Sequence, residues 1–287
     1  MPATISTDFV FEPLVWQDHI RAYFDRKLVL GAIALKNDEL MSAPGTTTNF
    51  PFYRAIGAAE EPAETAALTV DNLSDDSFSA TVREIGKAVG FTSKSFKVSA
   101  AKTEQNIMEA TQQMGRVHAE KVDADILTEM QLPTSSVAVT ATKGAGTANT
   151  GASIRAINEI KVKAFGDKHT DAMALQINSL DMLSIMNDTV AGFLQMDSNS
   201  PFFRTPGYQG TMLGLNVFEV DSIPAGSCFI HKVNPYGLIY KQEMELESDK
   251  DILARQWVFA STEWYAVKSF HAEVNALDLK STKGTFA

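Results

Sequence analysis

The sequence has a single cysteine, Cys228, among its 287 residues. That excludes an intramolecular disulfide and a clustered thiolate metal site, and it fits a reducing compartment. Long apolar runs are missing too. The longest, Leu28 to Leu35, is flanked by Arg26, Lys27 and Lys36 and falls far short of the roughly 20 residues that a membrane-spanning helix requires, so no membrane partner is expected. The opening stretch MPATISTDFVFEPLVW lacks a basic segment followed by an apolar one, so secretion is not expected. The N-x-[ST] triplets at Asn72 and Asn187 then carry no meaning for glycosylation. An excess of positive charge is also absent. Lys and Arg number 25 against 35 Asp and Glu, a formal net charge of −10, whereas a direct grip on nucleic acid rests on basic side chains displacing counterions. This balance suits a wall that encloses nucleic acid without sticking to it.

Signatures of catalysis are equally scarce. Gly144 to Ser153 places Gly146 and Gly151 at phosphate-loop separation, but Ala152 stands where that loop needs a lysine, so the stretch reads as a surface loop. His118-Ala119-Glu120 and His271-Ala272-Glu273 resemble the start of a zinc deaminase motif, whose P-C-x-x-C partner is impossible with one cysteine. His19, His169 and His231 show no metal-ligand spacing. No G-x-S-x-G elbow occurs, although members of a Ser-His-acid triad lie far apart in a chain and sequence leaves that arrangement open. Cys228 begins an apolar strand and reads as a buried structural thiol, and His118 lies on the apolar face of a helix as a hydrogen-bonded packing histidine. Asp75-Asp76 and Glu60-Glu61 sit in polar turns, where solvated charge is the default reading. No catalytic, cofactor-binding or metal-ligating residue is assigned, and the chain reads as a non-enzyme without a cofactor.

What is present is a set of distinct segments with 45% hydrophobic residues, enough for a sizeable core. Residues 1 to 14 show no helical period and contain Pro2 and Pro13, so they read as an extended arm. From Trp16 to Leu30 the spacing of Ile20, Phe24 and Leu28 predicts a short helix ended by Gly31. A polar, acidic, β-patterned excursion then runs from about Met41 to Thr92. It holds the aromatic run Phe50-Pro51-Phe52-Tyr53, an Ala- and Glu-rich loop, a polar turn at Asp71 to Asp76, and a returning strand through Phe78, Ala80 and Val82 that continues to Val89 and Phe91. A two-stranded flap of this size cannot bury a face of its own, so it reads as an arm that lies on another molecule.

Behind it, Ser99 can cap a helix in which Ile107, Ala110, Met114, His118, Val122, Ile126 and Met130 recur every three or four residues until Pro133. At 1.5 Å per residue this spans about 45 Å, and Gly115 lowers its local stability by about 1 kcal/mol relative to Ala. Such a helix works as a spine across one face of a sheet. The middle region alternates helices and strands: a helix with Ile154, Ile157 and Ile160, a strand over Ala172 to Ile177, a helix capped by Ser179, one strand over Gly207 to Val220, and another over Cys228 to Val233. Ile239 to Glu247 and Ile252 to Ala260 alternate around a turn at Ser248-Asp249-Lys250-Asp251, and a third strand is expected over Trp264 to Leu277. These last strands are expected to pack beneath the spine helix.

Taken in this order the segments resemble a tailed-bacteriophage major capsid protein of the Hong Kong ninety-seven type. The resemblance covers nearly the whole chain and is carried by the strand-loop-strand from Thr46 to Phe91, the helix from Ser99 to Gln131, the strand-helix from Ala172 to Ile185, and the pair Gly210 to Val220 with Ile223-Pro-Ala-Gly to Val233. It implies an α+β fold with an N-terminal arm at 1–15, an extended loop at 41–92, and an axial α/β domain at 133–235. The peripheral domain would combine 16–40 with 93–132, which includes the spine helix, and with closing strands at 236–287. It further implies self-assembly into an icosahedral shell around double-stranded DNA, with no sequence-specific binding, in a virion built in the host bacterial cytoplasm. Portal and scaffolding proteins would be partners, and decoration or cement proteins would be candidates.

Two departures follow from the residues present. No lysine occurs between Lys36 and Lys87, so the covalent crosslinking that some members make through a loop lysine is not expected. No scaffolding segment of about a hundred residues precedes the arm, so scaffolding is expected as a separate or already removed protein. The expected intersubunit surface comprises the aromatic strand Phe50, Phe52, Tyr53 with Arg54, and the acids Glu60, Glu61, Glu64, Asp71, Asp75 and Asp76, meeting a basic surface on the next copy. Bacterial encapsulin compartments resemble the same fold and form the alternative reading. A monomeric enzyme with a dispersed site is a third.

Overall fold

The computed structural model describes residues 13–32, 34–42, 44–53, 59, 61, 68, 70–92, 94, 103–131, 136–139, 152–166, 173–186, 205, 207–232, 235–269 and 281–286. The arm at residues 1–12, the cap Ser99 and the loop at 140–151 lie outside them.

The first helix, α1 (Pro13–Lys27), buries Ile20 and Phe24 as its spacing dictates, and the next turn carries Leu28 inward as well. It ends at Lys27 rather than at Gly31, because the chain tightens into a 3₁₀ turn, Leu30–Ala32. A short strand β1 (Leu35–Asn37) and a single helical turn α2 (Glu39–Ser42) follow. Two strands, β2 (Thr47–Tyr53) and β3 (Asp75–Thr81), pair only with each other in a seven-residue antiparallel ribbon. The strand expected to return through Phe91 divides at Val82. Beyond it, β4 (Arg83–Thr92) leaves the ribbon and pairs with the strand Gln256–Ser269, so this half of the return belongs to the body of the molecule.

The spine is helix α3 (Thr103–Gln131), 29 residues or about 44 Å long. Its predicted stripe is the buried one: Ala110, Met114, His118, Val122, Ile126 and Met130 all face inward, with Ile107 partly buried. They pack on the long hairpin β10 (Tyr236–Asp251) and β11 (Gln256–Ser269), through Tyr236, Leu238, Tyr240, Met244, Leu246, Phe259, Tyr265 and Val267. Each such side chain contributes about 1.5–3 kcal/mol on leaving water. The four-stranded sheet is ordered β1-β10-β11-β4. The expected turn at Ser248–Asp251 is still paired strand. The chain reverses over Ile252 to Arg255, where Asp251 Oδ1 accepts the N–H groups of Leu253 and Ala254, each at 2.9 Å, and Arg255 takes φ 52°. The expected third strand, Trp264 to Leu277, is the continuation of β11 to Ser269, and its remainder lies outside the described residues.

A six-stranded sheet of order β5-β12-β9-β6-β8-β7 forms the second layer. It contains β5 (Ser136–Val139), β6 (Ala174–Ile177), β7 (Tyr208–Met212), β8 (Leu215–Glu219), β9 (Ser227–His231) and β12 (Ser281–Phe286), with helices α4 (Ile154–Phe165) and α5 (Ser179–Met186). The single strand expected over Gly207–Val220 is a hairpin. Leu213 at φ 53° and Gly214 at φ 75° make a two-residue turn whose positive φ values match strand twist, a site where leucine is unusual. The last strand, β12, also departs from expectation. It lies between β5 and β9 in this sheet instead of packing beneath the spine helix with the hairpin.

Alternation lets one sheet serve two cores. Ala174, Phe218 and Phe229 face the spine side, while Leu175, Ile177, Leu215, Val217, Cys228 and Ile230 face α4 and α5. Gly115 sits where α1 crosses α3. A Cβ added there would lie 3.0 Å from the Ile20 carbonyl oxygen and 3.5 Å from the Phe24 nitrogen, so the glycine that weakens the isolated helix permits the crossing. Gly115→Leu is therefore expected to lower unfolding stability by about 2–3 kcal/mol despite the gain in helix propensity, and a urea midpoint at or above that of the native chain would refute the crossing argument.

Candidate functional site

Among the described residues, the ribbon is the feature packed least against the body. In β2 the pairs Thr47↔Thr81 through Tyr53↔Asp75 run without a register shift, yet Thr47, Asn49, Pro51 and Tyr53 are exposed, as are Ser77, Ser79 and Thr81 opposite them. Only its base is packed. Ala80 and Val82 are buried with Leu40, Ile239 and Ala266, and Phe50 and Trp264 lie against that cluster. Tyr53 is 72% exposed, and Leu68, Val70 and Leu73 are exposed beyond it. Four large apolar side chains thus stand in water on an otherwise polar ribbon and its connection.

The expected site residues divide accordingly. Phe50 is half-buried and is used within its own subunit, at the base. Tyr53, Glu61, Asp71 and Asp75 are exposed on the ribbon or its connection. Phe52 and Asp76 are opposed in the register, whereas Arg54, Glu60 and Glu64 lie outside the described residues. Leu68, Val70 and Leu73 are not among the expected site residues, although Leu68-Thr69-Val70 stands out in the sequence between the Ala- and Glu-rich loop and the polar turn.

Among the described residues one constellation has the connectivity of a dispersed triad. His118 on α3 places Nε2 2.9 Å from Ser261 Oγ and Nδ1 3.2 Å from Glu263 Oε2, which is nucleophile-base-acid connectivity. All three are sealed under the spine helix, with relative exposures of 2%, 0% and 1%. No substrate reaches them, and they act as a packed polar clamp between helix and strand. The phosphate-loop look-alike at 144–153 lies largely outside the described residues, and so does His271. Cys228 is fully buried, and burial pushes its thiol up to about 12, with Asp181 nearby adding to the effect. Among the described residues no group of three or more His, Cys, Asp or Glu is placed to hold a metal ion. No helix among them is long and apolar enough to cross a membrane.

Other buried polar groups join the layers. His231 Nε2 lies 3.1 Å from Gln176 Oε1, the Gln176 amide donates to the Tyr236 hydroxyl at 3.4 Å, and that hydroxyl donates to the Leu30 carbonyl. Burial lowers His231 to about 3, so its imidazole is neutral and Nε2 carries the proton. Leu30 and Val29 in turn donate their N–H groups to the two carboxylate oxygens of Asp123 on the spine, at 3.0 and 3.1 Å. Burial outweighs these donors and raises the Asp123 carboxyl from 3.8 to about 6.

No model of a known protein family matches the chain. The major capsid protein of Staphylococcus phage phiMR11 is 26% identical over 273 residues, which is 95% of this chain and 93% of that protein. Among solved structures, the capsid of Ralstonia phage GP4 aligns with all of this chain and 94% of its own at a TM-score of 0.66 and 13% identity. The virus-like particle from Pyrococcus furiosus aligns with 96% of this chain and 99% of its own at a TM-score of 0.61 and 8% identity. These structural likenesses show a shared fold, and the phiMR11 protein adds kinship in sequence.

The raised Asp123 carboxyl has a definite sign. A group whose folded-state pKa exceeds its unfolded value stabilises most below about 3.8 and loses that contribution as pH rises through about 6. The difference in urea midpoint between the native chain and Asp123→Asn is therefore expected to be most favourable to the native chain near pH 4 and to shrink by pH 7. A difference that is flat over that range would contradict the assignment.

Proposed function

We propose that the chain is a tailed-phage major capsid protein of the Hong Kong ninety-seven fold, a non-enzymatic virion component that assembles with many copies of itself into an icosahedral head, and that its ribbon is the clamp between copies. The observation that carries this reading is a ribbon whose described core contacts are at its base, with Tyr53, Leu68, Val70 and Leu73 exposed beyond it. The aliphatic and aromatic tip supplies apolar contact. The acids Glu60, Glu61, Glu64, Asp71, Asp75 and Asp76 supply ion pairs with a basic surface on the next copy. Each exposed pair contributes about 0–1 kcal/mol, but a closed shell repeats every contact by symmetry.

In this proposal the spine helix, α1 and the four-stranded sheet form the peripheral domain. The six-stranded sheet with α4 and α5 forms the axial domain that meets its copies around symmetry axes. Residues 1–15 add an arm, and the head encloses double-stranded DNA without reading its sequence, which accords with the net charge of −10. Portal, scaffolding and decoration or cement proteins are the partners such a head requires or accepts. An encapsulin-like shell shares the fold, but the kinship in sequence runs to a phage protein. DNA, rather than a cargo enzyme, is the expected content of purified particles.

Deleting Glu60 to Asp76 is expected to leave soluble subunits that do not close into shells; particles of normal size in negative-stain micrographs would overturn the clamp. Because the ribbon segment carries no lysine from Asn37 to Gly86, particles boiled in detergent are expected to run as a 31.3 kDa band. A ladder of covalent multimers would show that a covalent lock exists after all.

A further inference from the structure

One long side of the four-stranded sheet carries little strand pairing. β10 is paired with β11 from Tyr236 to Asp251, but on its other side β1 meets it only over Gly237–Ile239. From Tyr240 onward that side has no strand neighbour among the described residues. An open strand edge is a row of N–H and C=O groups that templates pairing with another chain.

The near part of this edge is occupied by α1. Register shifts between Tyr240 and Gln242 and between Gln242 and Glu245 take Glu243 and Met244 out of regular pairing with β11. The Met244 carbonyl accepts Gln17 Nε2 at 3.2 Å and Arg21 Nε at 3.4 Å, and Arg21 Nη1 lies 2.8 Å from Glu243 Oε2. Met244 is buried in the spine core with Ile20 and Phe24 of α1, whereas Glu243, one residue earlier, is exposed on the opposite face. Arg21 therefore reaches from the spine side of the sheet to its outer face, and its side chain crosses the edge of β10 to do so.

Further along, charge replaces cover. Glu243, Glu245, Glu247, Asp249 and Asp251 are all exposed and alternate along the strand, so they share the outer face. Lys250 belongs to the other face, where its Nζ stands 5.4 Å from the centre of the Trp257 ring, and Lys241 donates to the Gly45 carbonyl. If a second copy of β10 added antiparallel with both bodies on one side of the joined sheet, residues of the same face would stand opposite each other. Centred on Glu247, that pairing sets Glu245 against Asp249 and Glu243 against Asp251. Like charges placed directly opposite destabilise a strand pair. A bulge, a covering helix and a row of like charge are three separate means of blunting an edge, and β10 carries all three.

We propose that Arg21 and Gln17, with the acid row beyond them, form an edge guard that closes this side of the sheet to strand addition by a second copy of the chain. The guard is a property of the single subunit and goes beyond the assembly reading above. A chain that gathers many copies of itself brings its own strand edges together at high local concentration, and sheet-to-sheet pairing there competes with the contacts that close a shell. The guard removes that competitor.

Two variants of the full chain test it: Gln17→Ala with Arg21→Ala, and Glu245→Thr with Glu247→Thr and Asp249→Thr. In sedimentation velocity the fraction of unassembled chain found as dimers or open aggregates is expected to rise about tenfold over the native chain in both. In the associated material the amides of Leu246 to Asp251 are expected to gain protection from hydrogen exchange. The acid-row variant alters exposed side chains only, so it carries the test even where loss of the Arg21 contacts loosens α1. An acid-row variant as dispersed as the native chain overturns the guard. So does association that comes with a lowered urea midpoint, the mark of general destabilisation, and so does protection gained only outside Leu246 to Asp251.

Discussion

The structure depends on burying one face of the spine helix. Most of the stability of an amphipathic helix in a protein comes from packing its apolar face, and here that stripe lies along the 236–269 hairpin from Met114 to Met130. Polar groups set its register where apolar packing alone would allow sliding. His118 meets Ser261 and Glu263, and Asp125 meets Tyr265 seven residues further on, so helix and strand are pinned at successive points along the same direction. Because each of those groups is buried, a shifted register would leave it unpaired.

From that contact the remaining parts take their places. α1 crosses the spine at Gly115 and closes the core from one side, while the inner face of the six-stranded sheet closes it from the other. The sheet's outer face then builds the second core with α4 and α5. The chain of donors from His231 through Gln176 and Tyr236 to Leu30, and from Leu30 to Asp123, threads the first core and ties all of these layers to the spine. The ribbon is the one described element whose length extends beyond any core.

Much of this was legible beforehand, because the signals were local. The spacing of Met114, His118, Val122, Ile126 and Met130 identified the spine, and strict alternation identified the strands of the long hairpin. The reading of Phe50 to Tyr53 as one outward aromatic surface was less complete, since Phe50 turns into the subunit's own socket beside Trp264. The division at Val82 was invisible because β3 and β4 share the same alternation and differ only in which strand they pair with. The strand Ser281–Phe286 was missed for a related reason: Ser-Thr-Lys-Gly-Thr-Phe is neither strongly apolar nor alternating, and it is a strand because β5 and β9 lie on either side of it.

The sequence by itself determined which faces are apolar, how long the elements run, that no disulfide forms, and that the loop carries acid without lysine. These properties follow from side-chain chemistry and from the periods of helix and strand. Only the tertiary structure decided that Ser261, His118 and Glu263 form a sealed clamp, that Asp125 gathers Arg83, Tyr265 and Lys121, and that the last strand crosses to the second sheet. Each of those depends on residues brought together from distant parts of the chain, and burial, which sequence does not report, determines what such a meeting can do.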